Sequence, residues 1–142
     1  MKNILLTLIL LSPLAFAEEE TFICDCDSYI NSKDYLVRSC PGYPELYGLI
    51  INSEENTLSF QDEKYYYKNN PNTLSVRRFE GRKNADDFMD QEITIEIEFE
   101  KVTNMLRWKR EDLYWVQDAD TKLPEVTNRA EVTQYFICES TK

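Results

Sequence analysis

An all-β fold, a small antiparallel barrel or two-sheet sandwich of about eight strands, is what this sequence predicts. Three observations carry that prediction. Apolar and polar residues alternate with a period of two through most of the chain, in segments rich in β-branched and aromatic residues. Polar turn residues separate these segments at short intervals. Cys24, Cys26, Cys40 and Cys138 then stand near the two ends of the alternating region, placed to staple a small domain.

The first element is a leader. Lys2 is positive, Ile4 to Leu11 is apolar except for Thr7, and Ala15 and Ala17 are the small residues that precede a signal-peptidase cut. Residues 1–17 are therefore expected to be a cleaved signal peptide. The run falls short of the roughly 20 apolar residues that span a bilayer, and Pro13 interrupts it. Thr21-Phe22-Ile23 before Cys24 lacks the small residues that a lipidated cysteine needs, so no membrane anchoring is expected after cleavage. One β domain, 18–142, remains, with no linker or repeat inside it. Its expected location is the periplasm or the outside of the cell.

Thr21 to Ser28 reads as the first strand, with Phe22, Cys24 and Cys26 on one face. Bridging Cys24 to Cys26 along one strand would be strained, so one pairs with Cys40 and the other with Cys138. Spacing alone leaves open which takes which; Cys26–Cys40 with Cys24–Cys138 is the expected arrangement, the second bridge tying the first strand to the last. Cys40-Pro41-Gly42-Tyr43-Pro44 is a rigid turn. Strands follow at Tyr47 to Asn52, Thr57 to Gln61, Lys64 to Lys68 and Thr73 to Glu80, with turns at Ser53 to Asn56 and Asn69 to Asn72. Gly81 to Gln91 reads as a charged loop with a helical turn at Ala85 to Met89.

Glu92 to Val102 is the clearest strand, with Ile93, Ile95, Ile97 and Phe99 on one face and Thr and Glu on the other. A two-residue turn at Thr103-Asn104 would pair Val102 with Met105, Glu100 with Arg107, Phe99 with Trp108 and Glu98 with Lys109. Leu113 to Gln117 is a further strand, Asp118 to Glu125 a loop, and Val132 to Glu139 the last strand. Trp108, Tyr114 and Trp115 are expected in the core.

The chemistry left open is narrow. The net charge of −10 becomes −11 when Lys2 leaves with the leader, which argues against a nucleic-acid partner. There is no histidine, so the commonest general base and most zinc and copper sites are excluded. Oxidised cysteines offer no thiolate, and three glycines cannot build a phosphate loop. A zinc site does not fit Cys-x-Cys spacing. Asp118-Ala119-Asp120 opens like a calcium loop but meets Lys122 and Leu123 where a ligand and the sharp-turn glycine belong; Asp86, Asp87 and Asp90 are a second acidic group. Both are read as solvated loops, so neither a metal nor a cofactor is expected.

Two features point to a ligand. Tyr65, Tyr66 and Tyr67 are consecutive, so in a strand Tyr66 faces opposite to its neighbours, and at least one ring meets solvent or a groove. Arg110 shares the face of Leu106 and Trp108, opposite Ile97 in the expected hairpin. Pointing inward it would need a carboxylate or an anionic ligand; the expected arrangement instead ends the strand at Lys109 and leaves Arg110 solvated in the turn Arg110-Glu111-Asp112. The function expected is a non-catalytic, monomeric, exported β-domain that binds a protein or a small ligand. One specific form is an acidic inhibitor of a basic secreted enzyme. Small, exported and disulfide-closed, the chain resembles bacterial inhibitors of c-type lysozyme in plan, without their Ser-Gly-x-x-Tyr and Lys-Gly motifs. Other forms are a carrier with an apolar cavity lined by Phe99 and Trp108, and a glycosidase working through two carboxylates.

Overall fold

A computed structural model of the chain describes residues 18–40, 46–83, 89–118, 120–121 and 123–142. The leader, most of the turn after Cys40 and nearly all of the expected helical turn at Ala85 to Met89 lie outside the described residues. Those residues form strands and turns, with no helix. The strands are β1 (Glu19–Asn31), β2 (Arg38–Ser39), β3 (Leu46–Asn52), β4 (Thr57–Phe60), β5 (Glu63–Tyr66), β6 (Lys68–Asn69), β7 (Thr73–Lys83), β8 (Met89–Glu100), β9 (Met105–Gln117) and β10 (Pro124–Ser140).

Every pairing is antiparallel, and the order across the sheet is β5-β4-β3-β1-β10-β9-β8-β7-β6, with β2 set beside β1. Strand β6 follows β5 directly in the chain yet pairs with β7, at Lys68↔Ser75 and Asn69↔Leu74. That connection brings the two ends of the sheet together, so the architecture is a nearly closed barrel rather than a sandwich. The cysteines pair as expected. Cys24 sits directly opposite Cys138 in the β1–β10 ladder, and Cys26 bridges to Cys40, their Cα atoms 5.9 Å apart.

The period-two pattern decides which face turns inward. Phe22 and Cys24 on β1, Leu49 and Ile51 on β3, Ile93 to Phe99 at alternate positions on β8, and Leu106, Phe136 and Cys138 are all buried. Rings fill the space between them: Phe60 meets Phe136 at 5.1 Å, Tyr47 meets Phe136 at 5.4 Å, and Phe22 meets Phe99 at 5.1 Å between centroids. Each such side chain contributes about 1.5–3 kcal/mol by leaving water.

Four expectations are corrected. The β8–β9 turn holds four residues, Lys101 to Asn104, and the ladder runs Glu100↔Met105, Phe99↔Leu106, Glu98↔Arg107, Ile97↔Trp108. The longer turn lets Asn104 take a left-handed φ of 55° and donate its N–H to the Glu100 carbonyl at 2.9 Å. The register moves by two residues, so each side chain keeps its expected face. Second, β9 does not stop at Lys109; it runs unbroken to Gln117, absorbing Arg110-Glu111-Asp112, because both β8 and β10 pair with it along that stretch. Third, the ends of the Gly81 to Gln91 and Asp118 to Glu125 loops are strand, belonging to β7, β8 and β10. Fourth, Tyr114 is 39% exposed and Trp115 half-buried rather than core, at the end of the β8–β9 ladder where Tyr114 meets Gln91.

Candidate functional site

The three consecutive tyrosines divide as the strand period requires. Tyr65 and Tyr67 are 4% and 8% exposed on the inner face, while Tyr66 is 80% exposed on the outer one. Tyr65 donates its hydroxyl to Glu63 at 3.0 Å. Burial, and then that hydrogen bond, push its phenol up to about 12. Arg78 lies over the Tyr65 ring at 5.0 Å and pairs with Glu63 at 2.8 Å and Glu80 at 2.5 Å. This set straps β5 to β7 where the backbone ladder is missing.

Outside the strap, Tyr66 faces an open concavity of about 690 Å³. Phe79, 59% exposed, stands on its β7 side. Lys68, Arg77 and Arg107 line it together with Glu96 and Glu98, so the lining holds three cations and two carboxylates on a chain of net charge −10. Arg107 is tied to Glu98 at 2.7 Å, whereas Arg77 reaches Glu96 only at 3.6 Å and stays largely in solvent. Exposed aromatic rings beside an arginine are the composition of energetic centres in protein interfaces. Neither phenylalanine nor tyrosine gains anything by standing in water at these positions.

A second exposed apolar area lies on the wall formed by β1, β3 and β10. Ile23, Leu46, Ile50 and Ile137 surround Gly48, whose missing side chain would meet nothing within 4 Å. Its concavity is lined by buried Phe60, half-buried Tyr47 and one charge, Asp62, and neither ring stands exposed.

Arg110 does point inward, opposite Ile95 rather than Ile97. Its partner is the carboxylate of Asp112, met twice, at 2.8 and 3.0 Å, and Gln91 donates to the same group at 3.1 Å. The bond to Asp112 raises the guanidinium above its ordinary range, and the Glu63 charge acts on it as well. Arg110 thus joins the Tyr65–Glu63–Arg78 strap at one end of the interior, not Tyr66 on the wall. Three buried N–H groups, Arg78 Nε, Trp108 Nε1 and Trp115 Nε1, have no acceptor among the described protein groups. Arg78 and Phe79 were missed at the sequence level although the signal was present: alternation through Thr73 to Glu80 sets Arg78 on the face of Leu74 and Val76, and Phe79 on the polar face.

Both disulfides are formed and leave no free cysteine, which suits an oxidising environment. Among the described residues no three His, Cys, Asp or Glu side chains converge as metal ligands. Asp118 instead closes its own turn, accepting from Asp120 N–H at 3.0 Å and Thr121 N–H at 2.6 Å; Asp86 and Asp87 lie outside the described residues. Comparison with protein-family models, curated proteins and solved structures finds no match to the chain.

Proposed function

We propose that the chain is an exported, non-catalytic binding module, working in the periplasm or outside the cell, whose contact surface is the outer barrel wall around Tyr66 and Phe79. The observation that carries this reading is Tyr66, 80% exposed on a strand whose neighbouring tyrosines are buried, with Phe79 across the same concavity. A pair of rings held by strands loses little conformational entropy on contact. The filled interior, in which Phe99 packs on Phe22 and is 2% exposed, favours this wall over an internal apolar cargo.

The test is affinity capture. Mature protein, residues 18–142, is immobilised and exposed to periplasmic extract or culture fluid beside the Tyr66→Ser variant. A species retained by the wild type and lost by a variant of unchanged melting temperature is the expected result. Truncating an interface aromatic of this kind costs about 2 kcal/mol, roughly thirtyfold in Kd. Equal retention by both would remove the wall from consideration.

A second reading rests on the charge. A net −10 attracts a basic enzyme, and Glu18 and Glu20 flank the other open end of the barrel. An inhibitor of that kind should be held on immobilised c-type lysozyme at low salt and released as salt rises; passage through the column at low salt would dispose of it.

A further inference from the structure

The outer wall contains an open sheet edge. In an antiparallel ladder the N–H and C=O groups of successive residues point alternately to the two neighbouring strands. Asn70 donates to the Thr73 carbonyl and Lys101 to the Asn72 carbonyl, which fixes the alternation on β7. Thr73, Ser75, Arg77, Phe79 and Gly81 present their polar groups away from β8. Strand β6 meets Thr73 and Ser75 and ends there; among the described residues no strand pairs with β7 on that side beyond Ser75. On β5, the bond from Tyr67 N–H to the Asn56 carbonyl sets the odd residues against β4, so Lys64 and Tyr66 present theirs to the same gap.

Extending the β6–β7 register would place Tyr66 opposite Arg77 and Lys64 opposite Phe79, and neither pair forms. The barrel is unzipped along this seam, held on its inner side by the Arg78–Glu63 and Arg78–Tyr65 contacts. Its outward side chains are Lys64, Tyr66, Lys68, Ser75, Arg77 and Phe79. Three are cations and none is an acid, on a chain of net charge −10; the acids of the concavity, Glu96 and Glu98, stand on β8 beside Arg77 and Arg107. Lys64 is committed to Glu55 at 2.5 Å; Arg77 reaches Glu96 at 3.6 Å but stays 78% exposed, and Lys68 faces solvent.

We propose that this seam takes an extended, acidic peptide segment as an added strand, hydrogen-bonded to the open edge of β7 at Arg77 and Phe79. The inference rests on the reading of the outer wall as the contact surface and names its partner. Main-chain bonds to β7 supply the affinity that any strand addition gives, and side chains at alternate positions supply the selection. Carboxylates of the peptide meet Lys68 and Arg77, and apolar side chains lie across Tyr66 and Phe79. The strap that has to yield, Arg78 to Glu63, is partly exposed, and such pairs are weak to open.

A displayed library of random linear peptides, selected on mature protein, supplies the probe. The expected winners are rich in Asp and Glu and free of proline. A synthetic winner should slow amide exchange at Arg77 and Phe79 by about tenfold or more, bind more weakly as salt rises, and lose its affinity when N-methylated at alternate residues. Binding that needs Tyr66 but leaves those amides exchanging as in the free protein overturns strand addition and leaves the outer-wall reading standing. Binding indifferent to Tyr66→Ser overturns both. No enrichment above a blank surface, or enrichment of basic sequences, overturns the peptide assignment alone.

Discussion

Tyr65 ties the inner face of the seam together, and its chemistry makes that contact measurable. Its phenol is raised from 10 to about 12 by burial and by the bond to Glu63. The fold therefore favours the neutral form. That contribution is whole below pH 10, where the unfolded chain also keeps its proton, and is lost as pH rises from 10 to about 12. Stability to urea should fall across that window in the wild type and less in Tyr65→Phe; identical pH profiles for the two would show that Tyr65 carries no such linkage. The same residue scale separates Tyr66 from its neighbours. Burial of Tyr65 and Tyr67 already accounts for an aromatic strand, so the exposed ring between them is the one that packing does not explain.

At the scale of elements, turns decide how strands meet. The β4–β5 hairpin turns through Gln61 and Asp62, both with positive φ, 51° and 61°. A two-residue turn with both residues left-handed is the geometry that Asn-Gly fills without strain. Asp62→Gly should therefore raise stability by about 1 kcal/mol, read from the urea midpoint at unchanged slope; a loss would mean that Asp62 does something its backbone does not reveal. The β8–β9 hairpin marks what was legible in the sequence. Alternation in Glu92 to Phe99 gave each residue its face, because a period of two survives any shift of register by two. It could not give the register itself. That depends on whether two residues, Thr103 and Asn104, or four, Lys101 to Asn104, make the reversal, and both solutions set acids against bases outside and apolar groups against each other inside. Arg110 was misplaced for a related reason. Three charged residues in a row, Arg110-Glu111-Asp112, read as a turn, whereas Arg110 and Asp112 satisfy each other on the inner face at 2.8 Å and leave the strand unbroken. The Tyr66 side of the site is readable from the triplet, and Phe79 is readable from the same alternation, which sets it on the polar face of β7.

For the whole molecule, closure is the governing fact. Among the described residues, hydrogen bonds join each strand to the next around the barrel except at the seam between β5 and β7, and a disulfide ties the first strand to the last. Cys24 and Cys138 are 114 residues apart and Cys26 and Cys40 are 14 apart. A loop of about 100 residues closed by a bridge stabilises by about 4.7 kcal/mol on the chain-entropy account, and one of about 15 residues by about 3. Replacing Cys24 and Cys138 together by serine should cost more stability than replacing Cys26 and Cys40, as measured by denaturant titration. The reverse order would place the stabilisation in local packing around β2.

The proposed contact is the Tyr66 wall and not the apolar wall formed by β1, β3 and β10. Binding of the captured species to wild type, Tyr66→Ser, Phe79→Ser and Ile23→Ser, measured by titration calorimetry on proteins of matched melting temperature, tests it most directly. The expected result is a Kd raised roughly thirtyfold by each of the first two substitutions and left within about twofold by Ile23→Ser. A loss confined to Ile23→Ser, with Tyr66→Ser and Phe79→Ser binding as the wild type does, would contradict it.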